Sequence, residues 1–226
     1  MRKFLHLFFM LCMLISVSVK GQFSKGDRLI GGSVNVYSGN GGSTFANGQQ
    51  YTSNYYSSGL VPRYSWVLKN NIMNGIFLNA NYSHSANNYS SGPPDGYQKI
   101  DNYSFGVGYF IRKYKDFDQQ FGWFLEYNAL LGYNSYRQES AYPSGNFSIN
   151  KSSSVSAGLN ALPGLYYKVS RAAVIEAGFG GINANYSNGI SGDSRSHSFN
   201  VGLNFPSNFT FGLQFLLGQK PANKSQ

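Results

Sequence analysis

Apolar and polar residues alternate one for one along eight stretches of this chain. That period of two predicts strands with one apolar and one polar face. The stretches run over residues 28–38, 55–68, 72–84, 102–112, 121–136, 153–168, 173–187 and 197–217. In the fourth, Tyr103, Phe105, Val107, Tyr109 and Ile111 take one face, and Ser104, Gly106, Gly108 and Arg112 take the other. In the last, one phase carries Phe199, Val201, Leu203, Phe205, Phe209, Phe211, Leu213, Phe215 and Leu217. Two irregularities break the rhythm. Phe77 is out of phase with its stretch. After Gly180-Gly181 the apolar phase moves by one residue, to Ile182, Ala184 and Tyr186, which predicts a β-bulge.

The connections alternate in length. Residues 39–54, 85–101 and 137–152 read as long loops rich in Ser, Asn, Gly and Tyr; 69–71 and 169–172 are short, and 113–120 is intermediate. Long loops at one end and tight turns at the other, with an even strand number, predict an all-β fold: an eight-stranded antiparallel up-and-down transmembrane β-barrel. The face chemistry argues the same way. The apolar face carries Trp, Tyr, Phe and Leu, whereas the other carries Gly, Ser, Asn, Gln, Arg, Glu and Lys. Small polar residues do not fill the dry core of a secreted lipocalin-like barrel or a β-sandwich, but they suit a narrow polar lumen. Aromatics near strand ends are expected to form the interfacial girdles: Tyr64, Trp66, Tyr109, Phe121, Trp123, Tyr133, Tyr167 and Tyr186.

Composition sharpens this. The chain has 226 residues, 17% of them aromatic and only 12% charged, about half the charge of an ordinary soluble domain. Disordered chains show the opposite balance. Mean hydropathy is −0.30 and the chain has no run of 18 apolar residues, which argues against membrane helices. Arg2 and Lys3 precede a nine-residue apolar run from Leu7 to Ile15, with Val19 and Gly21 placed at a cleavage site before Gln22. This pattern predicts a signal peptide over 1–21 and a barrel domain over 22–226. Cys12 sits inside the apolar run, so the mature chain would lack cysteine.

The signal peptide, the eight segments and the phrases Leu60-Val61-Pro62-Arg63-Tyr64, Gly106-Val107-Gly108-Tyr109-Phe110-Ile111-Arg112 and Leu162-Pro163-Gly164-Leu165-Tyr166-Tyr167 resemble small bacterial outer-membrane β-barrel proteins, of the OmpX and OmpA transmembrane-domain kind. The resemblance is one of pattern over the whole mature chain. It implies a Gram-negative outer membrane, contact with its lipid and lipopolysaccharide, and insertion by the barrel-assembly machinery. One departure is the tail 218–226 after Phe215, where many such proteins end on an aromatic residue.

Candidate chemistry is sparse. Some outer-membrane barrels modify lipid A, and a deacylase of that kind needs a His beside a Ser on one face. Of the histidines that survive processing, His84 has Tyr82 and Ala86 two residues away, and His197 has Arg195 and Phe199. No enzyme, cofactor or metal site is expected, since the acids are scattered and the mature chain lacks Cys. Arg112, Lys113 and Lys115 form a small basic group assigned to the inner rim, facing phosphate headgroups or solvent; dispersed Lys and Arg elsewhere argue against nucleic acid. Within the polar face, Arg63, Glu126, Lys168 and Glu176 are expected to point inward and pair as an ion network closing the lumen. The expected role is non-catalytic, as a monomer in envelope structure or surface interaction, with an extracellular ligand for the long loops as an open prospect. A narrow small-solute channel, a lipid A-modifying enzyme and a secretion or assembly accessory are the competing readings.

Overall fold

The computed structural model describes residues 23–44, 50–90, 96–141, 145–170, 172–192 and 194–217, with the backbone alone at Ser90 and 204–209. The expected signal peptide over 1–21 and the tail 218–226 lie outside the described residues. Eight strands follow in chain order: β1 (Arg28–Thr44), β2 (Gln50–Lys69), β3 (Ile72–Ser90), β4 (Gly96–Asp116), β5 (Phe121–Ala141), β6 (Phe147–Lys168), β7 (Ala173–Ser191) and β8 (Ser194–Leu217). Each pairs antiparallel with the next, and β8 returns to β1 to close the barrel. This is the up-and-down, eight-stranded, all-β architecture that the alternation predicts.

At one end the turns are tight. Asn70 and Asn71 join β2 to β3, with Asn71 at φ 65°, a left-handed conformation that Asn tolerates better than most residues. Between β4 and β5, one oxygen of Asp118 accepts the backbone N–H groups of Gln120 and Phe121 at 2.7 and 2.6 Å. Those two donors hold the Asp118 carboxyl below the ordinary aspartate range.

At the other end the sequence reading needs correction. Residues 39–54, 85–101 and 137–152 are not long loops. Strands β1 and β2 continue to Thr44 and from Gln50, β3 and β4 to Ser90 and from Gly96, and β5 and β6 to Ala141 and from Phe147. These extensions are mostly polar on both faces, with exceptions such as Phe147 and Ile149, so the period-two signal fades although the ladder continues. Cross-strand pairs hold them: the Tyr37 and Tyr55 rings lie 5.5 Å apart, the Tyr51 and Tyr89 rings 5.3 Å apart, and the Tyr51 hydroxyl donates to Asn87 Oδ1 at 3.1 Å.

The radial pattern is the reverse of a soluble barrel. Val36, Phe105, Leu131, Leu159 and Phe211 point outward and are each 60% or more exposed. Glu126 and Arg112 point inward and are buried. The interior is nonetheless not uniformly polar. Near the tight turns a layer of inward Leu29, Met73, Phe110, Tyr114, Phe124 and Tyr166 is buried, and Phe23, from the segment before β1, packs beneath it at 4.8 Å from the Tyr114 ring. Phe77, the out-of-phase residue of β3, is an inward member of this cluster.

The bulge expected at Gly180-Gly181 is present in the β6–β7 ladder, where Ala161 faces Ile182 and Gly164 faces Gly178, so that residues 179–181 stand opposite 162 and 163. On β8, residues 205–208 stand opposite Gly180 alone, because Phe179 faces Phe209 and Gly181 faces Asn204. Gly180 has φ 56°, in the left-handed region that a side chain disfavours. The ladder between β8 and β1 is short. It runs for six pairs, from Arg28 opposite Leu217 to Ser33 opposite Gly212. Beyond Ser33 no further pair joins these two strands among the described residues, although β1 stays paired with β2 up to Thr44.

Candidate functional site

Alternation in β4 turns Ile111 and Lys113 outward and Arg112 and Tyr114 inward. Arg112 is the centre of the lumen. Its Nε donates to Glu126 Oε2 at 3.0 Å, its Nη2 to the same oxygen at 2.5 Å, and its Nη1 to the Tyr114 hydroxyl at 2.9 Å. Nη1 also pairs with Glu176 Oε1, which in turn accepts the Tyr114 hydroxyl at 2.9 Å. Arg63, from β2, reaches Glu126 Oε2 with Nη1 at 2.6 Å. The second oxygen of Glu126 accepts Asn128 Nδ2 at 2.8 Å, and Asn128 Oδ1 accepts Asn160 Nδ2 at 2.7 Å.

Aromatic faces complete the shell. The Arg112 guanidinium carbon lies 4.2 Å from the Phe124 ring centroid, and that of Arg63 lies 5.4 and 5.2 Å from Phe77 and Phe110. Two cations thus meet two anions; Arg112, Glu126 and Glu176 each have more than one polar partner and Arg63 has Glu126 and two aromatic faces, which makes the buried charge tolerable. Four strands supply the charges, so this cluster and the aromatic layer beneath it span the barrel as a floor.

Of the four residues expected in the network, Arg63, Glu126 and Glu176 are brought together. Lys168 is not part of it. It points inward, as expected, but its Nζ lies 3.4 Å from Asp116 Oδ1 and over the rings of Phe23 and Tyr166 at 5.3 and 5.4 Å. Lys168 ends β6 one inward position below Tyr166, whose ring meets Tyr114 edge-on at 5.1 Å, so the aromatic layer separates the ammonium from the glutamates. Tyr166 also donates its hydroxyl to Asp116.

Arg112 takes the place that the sequence reading gave to Lys168. The sequence reading grouped it with Lys113 and Lys115 at the rim; Lys113 and Lys115 are exposed, while Arg112 is buried. The signal was present, since Arg112 shares a parity with the inward Gly106 and Gly108. Proximity to two lysines in sequence obscured it.

The aromatic residues Tyr64, Trp66, Tyr109, Phe121, Trp123, Tyr133, Tyr167 and Tyr186 all stand outside the buried core. Tyr64 and Trp66 pack at 6.0 Å, and Tyr109 accepts a hydrogen bond from Asn74 at 2.6 Å. A further row of tyrosines escaped the sequence reading. Tyr56, Tyr82 and Tyr103 lie side by side on β2, β3 and β4, their rings 6.4 and 4.9 Å apart. Next to them, Asp101 Oδ1 accepts the Tyr82 hydroxyl at 2.9 Å and lies 2.8 Å from His84 Nδ1. His197 Nδ1 meets the Tyr186 hydroxyl at 2.9 Å.

Above the floor, toward the long-strand end, lies a cavity of about 310 Å³. It is walled by the ion cluster on one side and by glycines of β7 and β8 on the other. Gln214, 2% exposed, borders it with an Nε2 that has no hydrogen-bond partner.

No family model matches the chain, and no curated protein matches it. Among solved structures it is similar to the crystal structure of Neisserial surface protein A, with 16% sequence identity, a TM-score of 0.36, and coverage of 84% of this chain and 97% of that one.

Proposed function

We propose that the chain is a non-catalytic outer-membrane barrel of a Gram-negative envelope, closed at its tight-turn end, with a structural or surface-interaction role. The observation that carries this is the radial inversion: a continuous apolar outer wall around paired buried charges. A soluble protein rarely exposes an apolar surface of that extent. In hydrocarbon, the seven long ladders and the six β1–β8 pairs satisfy most of the backbone donors and acceptors that an open sheet would leave bare. The strands run 17 to 24 residues, whereas about 9–11 suffice to cross the bilayer, so the polar ends stand clear of it.

On this reading residues 1–21 direct export, the assembly machinery inserts the barrel as a monomer, and the outer wall contacts lipid and lipopolysaccharide. In support of the non-catalytic part, the His84 ring bonds Asp101 and the His197 ring bonds Tyr186, and neither ring bonds a serine hydroxyl among the described residues. The floor argues for a closed lumen over a channel, because Arg112 and Arg63 would have to leave Glu126 for solutes to pass. Planar-bilayer recording of pure monomer tests this. The expected result is the absence of steady single-channel openings; steady openings from the parent protein would replace the closed-floor reading with the channel.

A further inference from the structure

We infer that the cavity above the floor is a binding site for the head of an amphiphile with an uncharged hydroxyl- or amide-bearing head group, entered sideways through the β1–β8 seam. The inference rests on the membrane placement proposed above, because the tail needs a lipid phase beside the seam. Three observations meet at this place. The β1–β8 ladder ends at the pair Ser33 and Gly212, and both residues border the cavity. The end of the ladder is therefore also a side door to the lumen.

The cause is on β8. Residues 205–208 stand opposite Gly180 alone, three more than the β7 ladder needs, and Pro206 among them has no N–H to give to a ladder. Immediately outside the door, Val34 and Phe211 are 64% and 66% exposed, an apolar surface for a tail.

The second observation is Gln214. Its side chain is buried at the cavity, and its Nε2 is a donor without an acceptor, which is costly to leave unmade. A ligand oxygen would complete it. The third is room. A Cβ placed on Gly212 would clash with nothing and would sit in ordinary contact with Gly32 O at 3.4 Å and Glu176 Oε2 at 3.8 Å, so a small side chain fits this wall and a carboxylate oxygen faces it.

The head is uncharged because Arg63 and Arg112 are already matched by Glu126 and Glu176. A further charge would enter without a counter-ion. A hydroxyl fits, since it accepts from Gln214 and donates to Glu176. The volume, about 310 Å³, suits a head the size of one sugar ring.

The test uses the full barrel in phosphatidylcholine nanodiscs, with insertion scored by its heat-sensitive electrophoretic mobility. Octyl β-glucoside below its micelle concentration is the probe, and native mass spectrometry counts what is retained. One glucoside per barrel is expected, held about tenfold more weakly in Gln214→Leu and in Gly212→Val, the latter filling the wall without touching the donor. Two variants are used so that a folding failure in one leaves the other to decide. Octyl sulfate and free glucose at the same concentration are expected not to compete. Equal retention by the parent and by a folded variant would overturn the site. Competition by octyl sulfate would overturn the uncharged head. Competition by glucose as strong as that of the glucoside would overturn the seam route in favour of a solute from the open end. Failure to insert would count against the membrane reading, whereas insertion without retention would count against this inference alone.

Discussion

At the scale of single residues, the floor is organised by how many partners each charge has. Arg112 hydrogen-bonds Glu126, Glu176 and Tyr114 and its side chain is 3% exposed, whereas Arg63 hydrogen-bonds Glu126 alone and its side chain keeps 17% exposure. Removing one partner of a buried pair costs about 3–5 kcal/mol, because a charge is left stranded. Arg112→Met strands Glu176 and leaves Glu126 with Arg63 alone, whereas Arg63→Met leaves both glutamates paired with Arg112. Urea unfolding in detergent is expected to show Arg112→Met and Glu126→Gln each losing several kcal/mol and Arg63→Met clearly less. Equal losses for the two arginines would refute this ranking. Space is allotted just as locally. A Cβ on Gly108 would meet Phe77 Cζ at 2.2 Å and Ala129 O at 2.7 Å, one of them backbone. The three atoms nearest a Cβ on Gly59 all belong to the far ends of side chains, Asn81 Oδ1 at 2.0 Å and Asn35 Oδ1 and Cγ at 2.2 and 3.1 Å, and such ends yield more cheaply than backbone. Gly108→Ala is expected to cost about 1–3 kcal/mol and Gly59→Ala markedly less, read from the same unfolding curves.

At the scale of elements, the tight turns and the strand extensions differ in what holds them. The β4–β5 turn depends on the Asp118 carboxylate accepting two backbone N–H groups. Its folded-state pKa lies below the unfolded one, so the stabilisation is complete above the unfolded value and is lost as pH falls through the folded value. Carboxyl-carbon NMR in micelles is expected to place the Asp118 midpoint below 3.8, with the Gln120 and Phe121 amide shifts moving in step. A midpoint at or above 3.8, or amides that ignore it, would remove the carboxylate from the turn. The extensions at the other end rely instead on paired tyrosines and continuous ladders, which is why a run of Ser, Asn and Gly such as residues 39–44 is strand and not loop.

At the scale of the whole molecule, closure is uneven. Seven of the interstrand contacts are long ladders, and the eighth, between β1 and β8, has six pairs. In an antiparallel strand, successive amides point to opposite neighbours. Above Ser33, every second amide of β1 therefore faces the open seam. Hydrogen exchange in micelles is expected to alternate between protected and unprotected along residues 34–44, while β4 and β5, paired on both sides, are protected throughout their middle. Uniform protection of residues 34–44 would mean that the seam is sealed by contacts the ladder does not include.

The sequence alone determined the strand count, the starts of the strands at the tight-turn end, the outward apolar face and the bulge at Gly180-Gly181. Each of these is written in the period of two, a property of the chain one residue at a time. It also placed Arg63, Glu126 and Glu176 on the inner face. What it did not contain is height across the barrel, because the register of non-neighbouring strands depends on tilt and closure. Only the tertiary structure decided that Arg112 bridges both glutamates, that Lys168 falls below the tyrosine layer to Asp116, and that the β1–β8 ladder stops at Ser33 and Gly212. The extended strands were hidden for a simpler reason. Where both faces meet water, alternation carries no energy, and the sequence leaves no trace of it.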